Sequence, residues 1–180
     1  MILKDCKTFT SEWKNEIKER VAVMEKAPSL AIIQIGSVEA SNRYIRNKIK
    51  DCQEVGICAH HYWFEEEITQ DQLILEVVDL QMHYDSIIIQ LPVPAHIDIK
   101  HIIKFIRPEW DVDGFRHDSP HTPCTPGGIM RYLKYCNFDL TGKNVTIIGR
   151  SNIVGKPLAR LMTDANATVT LCHSKTRNLH

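Results

Sequence analysis

Lys143-Asn-Val-Thr-Ile-Ile-Gly-Arg-Ser-Asn-Ile-Val-Gly-Lys-Pro157 is the stretch on which the reading of the fold turns. Its first half is a short apolar run rich in β-branched residues, the mark of a buried strand. Gly149 then punctuates it, Gly155 follows, and Pro157 suits the first turn of a helix. Strand, glycine loop and helix start together make the shape of an anion cradle, because loop N–H groups and the positive helix end attract negative charge. The spacing departs from Gly-x-Gly-x-x-Gly, so the competing reading is an ordinary strand-to-helix turn.

Downstream, Ala167 to Cys172 reads as a second short strand, so 143–172 forms a βαβ unit. Dinucleotide-binding units that take a free ribose usually end this strand with an acidic residue. Here the end is Cys172-His173-Ser174-Lys175, with Arg150 back on the loop. A hydroxyl and cations without a carboxylate favour a 2′-phosphate, hence NADP over NAD. A solvated basic turn at Lys175 and Arg177 is the plainer alternative.

The chain has 180 residues, of which 43% are apolar, enough for one large or two small domains. Lys plus Arg number 22 and Asp plus Glu 22, so no net charge draws it to nucleic acid or to a membrane surface. No apolar run approaches the ~20 residues that span a bilayer, and the first residues do not read as a signal peptide. The six cysteines stand singly, which suggests reduced thiols in a cytoplasmic protein. His117 and His121 are four apart, but Pro120 between them argues against a helical metal pair, and no metal site is expected.

Working back towards the N-terminus, Phe9, Trp13, Ile17, Val21 and Met24 form a helical stripe that Pro28 ends. A strand is expected over Leu30–Ile35, a helix over Ser37–Val55 closed by Gly56, and a strand over Ile57–Phe64. Thr69 and Gln72 make a capping box, Ser86–Gln90 reads as a strand and Ile97–Ile106 as a helix. After a Pro- and His-rich stretch, Thr125 caps and Pro126 starts a helix running to Tyr135. Apolar strands alternating with helices predict an α/β fold with a parallel sheet covered on both faces. The natural division is an N-terminal parallel α/β catalytic domain, 1–118, and part of a Rossmann-type nucleotide domain, 119–180, with a second substrate in the cleft between them.

Three spots in the first domain carry possible chemistry. Tyr44 and Lys48 are four apart and share a helix face. A ring can stack on a flat heterocycle and a lysine can move a proton; a core-edge tyrosine beside a solvated lysine is the alternative. Gln90-Leu91-Pro92 ends a buried strand, where α/β folds place ligands. Asp111 and Asp113 point apart if the chain is extended, so one is structural and the other meets a ligand, unless Asp113-Gly114 is only a turn.

In order along the chain stand Tyr44-Ile-Arg-Asn-Lys48, Gln90-Leu-Pro-Val-Pro94, Pro108-Glu-Trp-Asp-Val-Asp113-Gly-Phe, Pro123-Cys-Thr-Pro-Gly-Gly-Ile, Gly149-Arg-Ser-Asn-Ile-Val-Gly-Lys-Pro157 and Ala167-Thr-Val-Thr-Leu-Cys-His-Ser174. This series resembles the bifunctional methylenetetrahydrofolate dehydrogenase/methenyltetrahydrofolate cyclohydrolase family over nearly the whole chain. The resemblance implies oxidation of 5,10-methylenetetrahydrofolate by NADP, then hydrolysis of the methenyl cation to 10-formyltetrahydrofolate, which needs no metal because the carbon is already electrophilic. By similarity Tyr44 would stack on the folate ring and Asp113 would bond the pterin. Lys48 would assist water attack and proton transfer, Gln90 would hold that lysine, and Leu91 and Pro92 would line the substrate site. Thr125, Gly149, Arg150, Ser151, Val154, Gly155, His173 and Ser174 would contact the nucleotide.

Two features depart from the family pattern: Trp110 stands where a lysine is usual, and the stretch from Asp113 to Pro123 is short. A doubly wound nucleotide domain has ~5–6 strands, and the reading to His180 finds two, so the second half and its later glycine-rich loop are expected to be missing. The resemblance also implies a homodimer of the full-length protein, built through that domain. A short-chain dehydrogenase also uses Tyr-x-x-x-Lys, but there the nucleotide loop precedes the pair. An inactive fragment that binds NADP or folate without turnover is the other competing reading.

Overall fold

The computed structural model describes residues 5–177. Its first helix, α1 (Cys6–Ala22), starts at an Asp5 cap whose carboxylate accepts from the Thr8 N–H. The stripe of Phe9, Trp13, Ile17 and Val21 is half-buried. Met24 lies past the helix end and is exposed, so the helix stops well before Pro28.

β1 (Ser29–Ile35) follows, then α2 (Glu39–Val55), β2 (Cys58–Phe64), α3 (Gln70–Leu80) and β3 (Ser86–Ile89). The strands form one parallel sheet in the order β2-β1-β3. β1 is central and every residue of it is buried. Ala31, Ile33 and Ile35 pack with α3 through Leu73 and Val77, while Leu30 and Ile32 meet Ile45 of α2 on the opposite face. β2 departs from the expected fully covered strand. It is an edge whose residues alternate between half-buried and exposed, with Trp63 at 47% exposure. Gly56 ends α2 in the left-handed conformation, φ 86°, and Thr69 and Gln72 form the expected capping box on α3.

The helix expected over Ile97–Ile106 is shorter. α4 spans only Ile99–Ile102 after an Asp98 cap, followed by a single 3-10 turn at Ile103–Phe105. Side chains take the carbonyls that a further turn would have used: Gln81 bonds the Phe105 oxygen, and Arg116 bonds those of Ile103 and Lys104. Pro108, with no N–H to give, then starts another 3-10 turn at Pro108–Trp110.

α5 (Cys124–Tyr135) begins earlier than the expected Thr125 cap, with Pro123 as its first flanking residue. Pro126 is accommodated in the first turn because N–H groups there lack intrahelical acceptors anyway. β4 (Asn144–Ile148), α6 (Gly155–Asp164) and β5 (Thr168–Cys172) complete the chain as a right-sized βαβ unit with β4 and β5 parallel. Their core is Leu140, Ile147, Leu158, Met162 and Ala167.

α1 touches both parts. Lys14 bridges to Asp51 and Glu54 of α2 at 2.6 and 2.7 Å. Phe9 meets Tyr132 and Tyr135 of α5, and the Arg131 guanidinium lies 4.3 Å over the Trp13 ring.

Candidate active site

The C-terminal ends of β1 and β3, with the start of α2 over them, gather most of the expected chemistry. The side chains that alternate onto the α2 face are apolar up to Ile32 and Ile88, and amides follow at Gln34 and Gln90. The Lys48 ammonium donates to Gln90 Oε1 at 3.2 Å, and Gln90 Nε2 donates to the Leu91 carbonyl at 2.8 Å. The backbone N–H of Gln90 is tied to the Ile33 carbonyl, so the amide is anchored at both ends. Ser41 Oγ also donates to the Leu91 carbonyl, at 3.4 Å. The Leu91–Pro92 peptide is cis; Leu91 is half-buried and Pro92 exposed. Tyr44, one helical turn before Lys48, is 62% exposed, so its ring face is available for stacking.

The two carboxylates part, one inward and one towards the lysine. Asp111 is buried, forms an isolated bridge to Ile87, and accepts from the Arg116 N–H at 2.7 Å. Asp113 is half-buried and lies within the field of Lys48. Burial pushes its carboxyl above the usual carboxylate range; Lys48 pulls it down, the Asp111 charge adds to the rise, and the Cys124 thiol pulls it back slightly. Cys124 Sγ donates to Asp113 Oδ1 at 3.7 Å, and burial and then the Asp113 charge raise its thiol, keeping it a donor.

The short stretch after Asp113 is closed on itself. Gly114 takes φ 65°, and a Cβ there would come within 2.6 Å of the His121 carbonyl. Ser119 Oγ donates to the Asp111 carbonyl, and Arg116 grips Asp118 through two bonds of 2.7 Å. Trp110, at the unusual position, donates its ring N–H to the Tyr84 carbonyl at 2.6 Å.

The second cluster is the glycine loop. The Gly149 N–H bonds the Cys172 carbonyl, which brings Arg150 and the His173-Ser174 turn out of neighbouring strand ends. Gly149 has φ 128°, and a Cβ on Gly155 would run into the Gly149 carbonyl, so the loop and α6 approach as only glycine allows. That glycine-lined loop, flanked by exposed Arg150, Ser151 and Ser174, offers a cation and hydroxyls to a phosphate-bearing nucleotide. One expectation changes here. The N–H groups of Val154 and Gly155 donate to Ser151 Oγ, and that of Lys156 to the Ser151 carbonyl, so they cap α6 instead of standing open to an anion. His173 is half-buried and fastens its own turn: its N–H bonds Thr176 Oγ1 and its ring nitrogen accepts from the Lys175 N–H. Thr125 is exposed in the first turn of α5.

The sequence reading passed over Gln34, Ser41 and Cys124. A signal existed for Gln34, a lone amide in the apolar run Leu30–Ile35. For Ser41 and Cys124 it lay only in contacts between distant segments. Among the described residues no helix is long and apolar enough to cross a membrane, and no group of three or more His, Cys, Asp or Glu could hold a metal ion.

Comparison with known proteins agrees along the chain. Residues 5–113 match the family model "Tetrahydrofolate dehydrogenase/cyclohydrolase, catalytic domain", and residues 123–180 match "Tetrahydrofolate dehydrogenase/cyclohydrolase, NAD(P)-binding domain". The bifunctional protein FolD of Agathobacter rectalis is 42% identical over 98% of this chain and 68% of its own; that of Bacillus mycoides is 43% identical over 91% and 62%. The crystal structure of the bifunctional FolD enzyme from Campylobacter jejuni superposes with a TM-score of 0.93 at 37% identity, over 96% of this chain and 66% of that one. The Trypanosoma brucei FolD structure, complexed with NADP cofactor and inhibitor, gives a TM-score of 0.90 at 30% identity, over 98% and 65%. The chain thus spans about two thirds of the length of these relatives. With both family models in sequence order and relatives matched from end to end of it, this chain belongs to the tetrahydrofolate dehydrogenase/cyclohydrolase family.

Proposed function

We propose that the chain oxidises 5,10-methylenetetrahydrofolate with NADP and hydrolyses the 5,10-methenyl product to 10-formyltetrahydrofolate. The observation that carries this is the Lys48–Gln90 pair, held at the end of a buried strand with Asp113 in the lysine's field. Residues 1–118 serve as the folate-binding catalytic unit and 119–180 as the first part of the nucleotide unit. Tyr44 stacks on the pterin and Asp113 bonds its N–H edge, while Leu91 and Pro92 flank it. Lys48 moves a proton between attacking water and the product nitrogen, and Gln90 keeps the ammonium in line. Gly149, Val154 and Gly155 shape the nucleotide loop; Arg150, Ser151 and Ser174 face the 2′-phosphate and its neighbours, with Thr125 and His173 at the margins. When bound, the nicotinamide accepts the hydride from the methylene carbon. The products feed one-carbon metabolism, and so purine, methionine and histidine biosynthesis, in the cytoplasm, and the full-length protein is a homodimer.

A second reading is binding of NADP and folate without turnover, in line with a chain that spans about two thirds of its relatives' length. Assays of methylenetetrahydrofolate oxidation with NADP and with NAD, and of methenyltetrahydrofolate hydrolysis, separate the two. NADP-dependent turnover supports the enzyme, and saturable binding without turnover supports the second reading. Absence of both turnover and binding removes both.

A further inference from the structure

We infer that Gln34 is a positioning residue for Lys48, its buried and unpaired side-chain oxygen standing ready as a second acceptor that the ammonium takes up beside Gln90. The inference rests on the hydrolytic role proposed for that lysine. Gln34 is only 2% exposed. Its Nε2 donates to Asn42 Oδ1 at 2.7 Å, and Asn42 Nδ2 donates onward to Ser37 Oγ at 3.3 Å, which fixes the amide's orientation. Its Oε1 is buried and has no hydrogen-bond partner among the described residues. A buried carbonyl left unpaired is costly, and such a group in a folded protein calls for an explanation.

Its position supplies one. The bond to Asn42 shows that Gln34 faces α2, the helix that carries Lys48. On the adjacent parallel strand Ile33 pairs with Ile89, so Gln34 and Gln90 follow side by side, on strands about 4.8 Å apart. Lys48 already reaches Gln90 Oε1, and that bond uses one of its three ammonium protons. A single acceptor lets an ammonium on a four-carbon stem pivot. Two amide oxygens from neighbouring strands restrict it to one place, which proton transfer to a bound substrate requires. The plainer role for Gln34 would be to brace the first turn of α2 through Asn42, leaving Lys48 indifferent to it.

The test uses the whole chain labelled with 13Cε-lysine, the Lys48 signal being assigned by its loss in Lys48→Arg. Gln34→Met keeps the side chain's length and removes both the buried oxygen and the Nε2 donor to Asn42. It should shift the Lys48 signal towards those of exposed lysines. Methenyltetrahydrofolate hydrolysis should fall about ten- to hundredfold in kcat with KM little changed. Gln34→Glu, which retains an oxygen there but not the donor to Asn42, should keep the Lys48 signal apart from those of exposed lysines and recover much of the turnover. An unmoved Lys48 signal in Gln34→Met, or a Glu variant no better than Met, overturns the inference. If Gln34→Met does not fold, Asn42→Ala, which releases the amide's orientation, takes its place, and an unmoved signal there overturns it equally. Should the chain lack turnover altogether, the proposed activity fails while the lysine spectrum still decides the role of Gln34.

Discussion

The two candidate clusters are built in opposite ways. The Lys48 cluster stands at the end of a fully buried strand, β1, and of its neighbour β3, and is held by side chain–side chain bonds from α2 to Gln34 and Gln90. The glycine-loop cluster stands on two strands of mixed exposure, and Arg150, Ser151 and Ser174 are exposed. Chemistry needs groups fixed in a poorly solvated place, where electrostatic interactions are strong. Grip on a large anionic cofactor needs exposed cations and hydroxyls that can fold over it. The comparison teaches that the first site is preorganised by the core, whereas the second is shaped by glycine and is finished by its ligand.

The sharpest way to break that contrast is Lys48→Ala. Hydrolysis of methenyltetrahydrofolate should drop by about 10²–10⁴, while NADP affinity, measured by fluorescence titration, stays within about twofold because the lysine lies on α2. Unchanged hydrolysis would take Lys48 out of the chemistry.

Next in size is a pair of substitutions, one in the core and one on the surface. Ile33 is completely buried, so Ile33→Ala should cost about 2–5 kcal/mol in denaturant unfolding. Ile148 is 73% exposed, so Ile148→Ala should stay within about 0.5 kcal/mol. A large loss at Ile148 would show that another surface covers the end of β4.

Arg150→Ala sharpens the nucleotide side. Loss of a charge-assisted bond should weaken NADP about tenfold and leave NAD nearly unaffected. Equal losses in paired titrations would count against a 2′-phosphate contact.

The smallest effect concerns Asp113. Burial raises its carboxyl in the folded chain, so its contribution to stability is complete below the ordinary carboxylate range and is lost as pH rises through the folded-state value. Asp113→Asn escapes that loss. At neutral pH it should melt slightly above the parent, with the gap closing as the solution is acidified, and it should lose folate binding. A gap that widens in acid would mean that the carboxylate stabilises the fold.

Reading ahead of structure succeeded where the signal was local. The capping box at Thr69 and Gln72, the left-handed stop at Gly56 and the βαβ unit depend on neighbours in sequence, and all three are observed. It erred where distant partners intervened. Gln81 and Arg116 captured the carbonyls that would have extended the helix at Ile97–Ile106. The edge position of β2 depended on the strand order, which periodicity does not encode.

By itself the sequence determined the α/β class, the parallel strands, the glycine loop and the segments that carry Tyr44, Lys48, Gln90 and Asp113, because periodicity, capping and glycine spacing act over a few residues. Only the tertiary structure decided that Asp111 turns inward onto the Arg116 N–H, that Ser151 caps its own helix, and that Gln34 ends buried with one oxygen unpaired. Those outcomes follow from the register of β1 against β3 and from the seat of α2 above them, and burial and hydrogen-bond pairing are properties of that packing.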